Sequence, residues 1–180
     1  MKHEVRIIGG LWRRSLLPVA DRPGLRPTPD RVRETLFNWL GQDLDGQHCL
    51  DLFAGSGILG FEAASRGAAG VVLVERDTRA LDALHNAAKT LQAAQVEIVR
   101  GDAVRFAQTT LRSFDGLFLD PPYNRGWLER VLPWMDKLVR PQGWLYVESE
   151  AVVSSLGAWH AVKQGRAGQV HFHLMRRSQE

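Results

Sequence analysis

After Gly46 the sequence alternates apolar runs of about five residues with longer stretches of helical spacing, and this alternation restricts the fold more than any other feature. The runs are His48 to Phe53, Val71 to Val74, Val96 to Val99, Gly116 to Leu119 and Trp144 to Val147. Between them, Ile58 to Arg66 fits a helix, as does Thr78 to Leu91, which sets Leu81, Leu84 and Ala88 on one face. Strand-helix alternation calls for a parallel sheet covered by helices, with its binding crevice at the carboxyl ends of the strands. Four of the runs end at or next to a carboxylate, Glu75, Asp102, Asp120 and Glu148, so negative charge gathers on that rim. Two later runs, Ala158 to Val162 and Gln169 to Met175, complete the expected α/β, Rossmann-like layout: a seven-stranded, mostly parallel sheet flanked by helices.

Residues 1–40 follow a different pattern. Val5 to Ile8 and Leu16-Leu17 read as a short hairpin with Arg13 and Arg14 near its turn, and the Pro, Gly and Arg between Ala20 and Pro27 imply an irregular connection. A helix then starts, with Thr28 or Asp30 available as its cap, Pro29 suited to the first turn, and Val32, Leu36, Phe37 and Leu40 at helical spacing. The expected organisation is therefore one domain over 1–180, with a hairpin-and-helix extension (1–40) on a catalytic core (41–180).

A net charge of +3 conceals an uneven distribution. Residues 1–40 carry eight Lys/Arg against four Asp/Glu, residues 41–162 eleven against fifteen, and residues 163–180 four against one. Basic ends around an acidic body suit a nucleic acid held by its phosphates. The N-terminal residues lack the apolar stretch of a secretory signal and no run is long enough to span a bilayer, so a soluble, cytoplasmic protein acting without a membrane is expected. The single cysteine, Cys49, sits in an apolar run and reads as a buried hydrophobe. The histidines lack partners at metal-ligand spacing, and His171 and His173 read as surface residues of a strand, so no metal site is expected.

The first strand runs into Asp51-Leu52-Phe53-Ala54-Gly55-Ser56-Gly57. Gly55 to Gly60 also satisfies the dinucleotide pattern G-x-G-x-x-G, so an NAD-dependent oxidoreductase is one reading. In such a site a glycine turn and a helix N-terminus face a diphosphate. Asp51 would repel that anion and attract a cation: at about 4 Å and an effective dielectric of 20, the two cases differ in sign at roughly 4 kcal/mol each. S-adenosylmethionine carries the required charge. Glu75 is placed to accept both ribose hydroxyls, and Asp102 with the Ala103 amide to meet the adenine, so the cofactor candidates are Asp51, Phe53, Gly55, Gly57, Glu75, Asp102 and Ala103.

Asp120-Pro121-Pro122-Tyr123 follows a later strand and supplies the complementary chemistry. The amine of a nucleobase is a weak nucleophile because its lone pair is delocalised into the ring. The Asp120 carboxylate and the Pro121 carbonyl could accept its two hydrogens and turn that lone pair out of the plane. Pro122 restricts the backbone and Tyr123 can stack on the base. The same clamp suits N6 of adenine in DNA or RNA, which remains the neighbouring alternative.

Taken with Arg6-Ile7-Ile8-Gly9-Gly10, Gly24-Leu25-Arg26-Pro27-Thr28, the run from Asp30 to Leu40 and Ser65-Arg66-Gly67-Ala68, these motifs resemble the bacterial 16S ribosomal RNA guanine-N2 methyltransferases of the RsmD type, over nearly the whole chain. The resemblance implies the class I methyltransferase fold, S-adenosylmethionine as cofactor, and methylation of N2 of guanine 966 of 16S ribosomal RNA in an assembling small subunit. Arg6, Arg13, Arg14, Arg26 and Arg33 are the candidates for RNA phosphate contacts, Arg33 being equally suited to anchor the N-terminal segment through an ion pair, and a monomer is expected. Trp12-Arg13-Arg14-Ser15-Leu16 departs from the Trp-Arg-Gly-Arg-Lys run usual in similar proteins, with one cation fewer.

Overall fold

Eight strands form one sheet in the computed structural model, which describes residues 3–178. Lys2 and Glu180, counted in the charges above, lie outside those residues. The core strands are β3 (His48–Asp51), β4 (Gly70–Glu75), β5 (Val96–Arg100), β6 (Phe114–Leu119) and β7 (Val139–Ser149), and all pair in parallel in the order β5-β4-β3-β6-β7. The sheet continues antiparallel through β10 (Val170–Arg177), β9 (Trp159–Ala167) and β8 (Ser155–Leu156). The expected count of seven is exceeded by β8, whose two residues are too few to leave a hydrophobic pattern.

Helices cover both faces. On one side α1 (Asp30–Leu40), α2 (Ile58–Ser65) and α3 (Thr78–Leu91) close a core around Phe37, Phe61, Leu73, Leu84 and Phe118. On the other, α4 (Ala103–Thr109), α5 (Trp127–Val131) and α6 (Met135–Leu138) cover Leu50, Val72, Leu117, Leu145 and Trp159. Each such side chain taken from water contributes about 1.5–3 kcal/mol before entropy is charged against it. The last three helices are short, and no helical periodicity announced them.

The extension is part of the first core rather than an appendage. β1 (His3–Arg6) pairs antiparallel with β2 (Leu16–Val19), and Val5, Ile7, Trp12 and Leu17 join the cluster under α2. A buried ion-pair network fastens it. Arg33 on α1 and Glu62 on α2 are both fully buried, with Arg33 Nη1 2.9 Å from Glu62 Oε2. Glu62 also accepts from the Ile8 and Gly9 amides and from Arg66 Nε, while Arg33 donates to the carbonyls of Arg6 and Thr28 and to Asp30. Every guanidinium nitrogen of Arg33 is engaged inside the protein, so its reading as a phosphate contact is corrected: it is the anchor of the N-terminal segment.

Two further expectations are corrected by hydrogen bonding. Pro29 occupies the N-cap of α1 without a side-chain cap, because the Thr28 hydroxyl donates to Glu148 Oε1 (2.8 Å) and Asp30 pairs with Arg33. His173 is buried rather than on the surface. Its Nε2 accepts from the Val153 amide (3.0 Å), which fixes the proton on Nδ1 facing the Val147 carbonyl (3.1 Å). Cys49 is buried as expected, and burial pushes its thiol up to about 12.

Candidate active site

The carboxyl ends of β3, β4, β6 and β7 converge on one rim because these strands run parallel. Asp51, the last residue of β3, lies only 1 % exposed. The backbone amides of Phe53 and Gly60 lie near its carboxylate and favour the ionised form, while Oδ1 is buried without a partner. Burial, reinforced by the nearby charges of Glu75 and Glu148, pushes Asp51 up to about 7 against the opposing effect of the two amides. A buried carboxyl with one oxygen bare has the chemistry to take a hydrogen-bond donor or a positive charge.

The glycine turn has the geometry this requires. Gly55 and Gly57 adopt φ of 56° and 79°, which side chains rarely tolerate, and a Cβ on Gly57 would lie 2.4 Å from Leu84. Gly60 is needed for packing, since a Cβ there would meet Leu73 at 2.2 Å. Glu75, ending β4, folds back on the turn: Oε2 accepts from the Gly55 amide and Oε1 from those of Arg76 and Asp77, each at 2.9 Å. Phe53 packs edge-on against Trp127, with ring centroids 5.5 Å apart. Asp102 caps α4 through Oδ1, which accepts from the Arg105 amide (3.0 Å), and Ala103 opens that helix, buried.

At the end of β6, Asp120 is half-buried, Pro121 buried and Pro122 exposed, and the Tyr123 ring is 42 % exposed. The carboxyl of Asp120 meets that of Glu148, one strand across on β7. Glu148 is buried and its Oε1 accepts from two hydroxyls, Thr28 and Tyr146, both at 2.8 Å. Burial raises both acids, and Asp120 is raised well above the ordinary value because the charges of Glu148 and Asp51 add to the effect. Tyr123 is pushed up to about 12 by burial and by Asp120, Glu148 and Glu150.

Three participants were not read from the sequence as parts of the site, although Leu25 and Thr28 stand in the Gly24-Leu25-Arg26-Pro27-Thr28 motif. Arg22 reaches Glu75 (3.5 Å) and Asp77 (3.8 Å), Leu25 lies over Gly55, and Thr28 ties to Glu148, so residues 22–28 form a strap along the rim. Their roles come from contacts between residues more than 25 positions apart. Tyr146 was legible only as a strand residue and Glu148 only as a carboxylate of the rim. Arg6, Arg13, Arg14 and Arg26 all have exposed side chains, the first three on the hairpin and Arg26 on the strap.

A family model described as "Conserved hypothetical protein 95" matches residues 5–176. The chain is 43% identical to the ribosomal RNA small subunit methyltransferase D of Escherichia coli (strain K12), over 97% of this chain and 90% of that one. It is 39% identical to the protein of the same name from Haemophilus influenzae, covering 96% and 94%. A solved methyltransferase structure from Escherichia coli superposes with a TM-score of 0.88 at 42% identity, covering 99% of this chain and 100% of that one.

Proposed function

The chain belongs to the Conserved hypothetical protein 95 family, that of the small-subunit ribosomal RNA methyltransferases D, and from that premise we propose that it transfers a methyl group from S-adenosylmethionine to the exocyclic N2 of guanine 966 in 16S ribosomal RNA. The observation that carries this reading is what already occupies the glycine turn. Of the amides that a diphosphate would take, that of Gly55 is engaged by the Glu75 carboxylate, and the buried Asp51 carboxylate lies near that of Gly60. A dinucleotide would have to bind against two negative charges, whereas a sulfonium or ammonium group would satisfy the bare Asp51 oxygen.

The residues fit the methyl donor. Asp51 would face its positive charge. Glu75 Oε1 accepts from the Arg76 and Asp77 amides and lies 3.5 Å from Arg22, whereas Oε2 accepts from the Gly55 amide alone, so Oε2 keeps an acceptor position for one ribose hydroxyl. Asp102 keeps one carboxylate oxygen beyond the one that caps α4 for the adenine amine, with the Ala103 amide beside it. When bound, S-adenosylmethionine supplies a methyl group activated by its sulfonium.

The acceptor amine would lie against Asp120 and the Pro121 carbonyl, with Tyr123 stacked on the base. Accepting both hydrogens frees the nitrogen lone pair, and the raised basicity of Asp120 suits it to take the proton released as the new N–C bond forms. Alignment of nucleophile with the methyl group is the remaining contribution. The exposed Arg6, Arg13, Arg14 and Arg26 are proposed as phosphate contacts, the protein acting as a cytoplasmic monomer on an assembling small subunit.

The test is incubation with labelled methyl donor and small subunits lacking the modification, followed by mapping of the labelled nucleotide. Label on N2 of one guanine is expected; label on an adenine, or none, would overturn the reading.

A further inference from the structure

We propose that Glu148 is a specificity-determining residue: it receives the N1–H of the target base and thereby makes the acceptor site select guanine over adenine. This rests on the N2-guanine reading above. The β6–β7 register pairs Phe118 with Tyr146 and Leu119 with Val147, so Asp120 and Glu148 occupy the next position and project from the same face of neighbouring strands. Adjacent strands lie about 4.8 Å apart, and the two carboxyls close that gap to hydrogen-bond contact. Glu148 cannot swing away, because Oε1 is held by the hydroxyls of Thr28 and Tyr146, which leaves Oε2 for the acceptor side. Tyr123, which would cover the base, follows Asp120 by three residues and feels the charge of both acids.

Guanine and adenine present opposite patterns to such a pair. Guanine places two donors on adjacent atoms, N1–H and N2–H, whereas adenine places its N6 amine beside an acceptor, N1. Two carboxyl oxygens in contact match the first pattern and oppose a lone pair in the second. The match also has a consequence for reactivity. Two hydroxyl donors stabilise the anion on Glu148, so the proton shared by the pair resides on Asp120. The N1–H of guanine takes the place of the Asp120 hydrogen bond to Glu148, and the half-buried Asp120 gives its proton to solvent, which leaves a carboxylate to accept from the amine. A base without N1–H leaves Asp120 protonated, so selection of the base and activation of the acceptor are one event.

The test uses small subunits reconstituted with ribosomal RNA ligated to carry either guanine or 2-aminopurine at the target position. 2-Aminopurine keeps the amine, exchanges N1–H for a lone pair and lacks the C6 carbonyl; a Glu148 variant that alters only the N1 contact separates the two losses. For the wild-type enzyme, kcat/KM on 2-aminopurine is expected to be lower by at least about 100-fold, since a site built around a donor rejects an analogue lacking it. Glu148→Gln keeps an oxygen for Thr28 and Tyr146 and offers an N–H to the acceptor side. It is expected to slow on guanine and to bring the two substrates within about tenfold of each other. Wild-type rates on 2-aminopurine within about threefold of those on guanine would overturn the inference even if the variant failed to fold. So would a variant slowed equally on both substrates. Failure of the wild type to methylate the guanine substrate would instead remove the underlying functional reading.

Discussion

Asp51→Asn should weaken cofactor binding and stabilise the free protein, an opposition that ordinary damage to a core residue does not produce. Asp51 ionises at about 7 in the folded protein against an ordinary value of 3.8. A carboxyl raised in this way favours folding at low pH and loses that advantage as pH rises from the unfolded value through 7. By pH 8 the folded state carries a penalty of about 4 kcal/mol, and at pH 5 about 2 kcal/mol. The carboxamide removes that penalty and retains an oxygen for the Phe53 and Gly60 amides, but puts an unpaired NH2 where Oδ1 was bare, at a cost of about 1–3 kcal/mol. The net gain should therefore be about 1–3 kcal/mol at pH 8 and near zero at pH 5. In a chain of this size that is an increase in Tm of about 3–10 °C, confined to the higher pH. Thermal scans of the free protein at both pH values measure it, and calorimetric titration with S-adenosylmethionine at pH 8 should show affinity reduced by roughly 50-fold or more as the Coulomb attraction is lost. A Tm that fell at pH 8, a gain equal at both pH values, or undiminished cofactor affinity would refute the reasoning.

Wild-type affinity for S-adenosylmethionine should strengthen by about tenfold from pH 6 to pH 8, as Asp51 loses its proton through 7, and calorimetry on Asp51→Asn should show that dependence gone. Asp120→Ala should bind cofactor normally and lose roughly 100-fold or more in single-turnover methyl transfer; an unchanged rate would remove the clamp from the mechanism. Glu62→Gln removes the buried counter-charge of Arg66 and leaves Arg33 only the exposed Asp30, and should cost about 3 kcal/mol in urea unfolding. Exchanging Arg13 and Arg14 together for Ala should weaken RNA binding and make the salt dependence of log K shallower by about two; a slope that does not move would dismiss the hairpin as an RNA arm.

The central fold was legible because each of its determinants is local. Five apolar strands, a glycine turn with its special φ values and a well-patterned α3 can be read from neighbours in the chain. The lines of the candidate site that came from strand ends, Asp51, Glu75 and Asp120, were legible for the same reason: parallel strands bring their carboxyl ends to one rim whatever the loops do. Residues whose partners are distant in sequence were not. Arg33 on the polar side of a helix pattern has the appearance of a surface cation, and only the fold brings Glu62 to it from 29 positions away. Thr28 is an ordinary helix-cap candidate until Glu148, 120 residues later, claims its hydroxyl. His173 alternates like a surface residue, and it is the pairing of β10 between β7 and β9 that buries it.

The central claim is that a negatively charged rim holds a positively charged methyl donor beside a neutral aromatic amine. A crystal structure of the protein with S-adenosylmethionine and a target RNA fragment tests it most directly. The account predicts the donor over the Gly55 turn with its charge toward Asp51, and the guanine amine within hydrogen-bond distance of Asp120 and the Pro121 carbonyl. An RNA base seated away from Asp120, or an anionic group resting on the Gly55 and Gly60 amides, would contradict it.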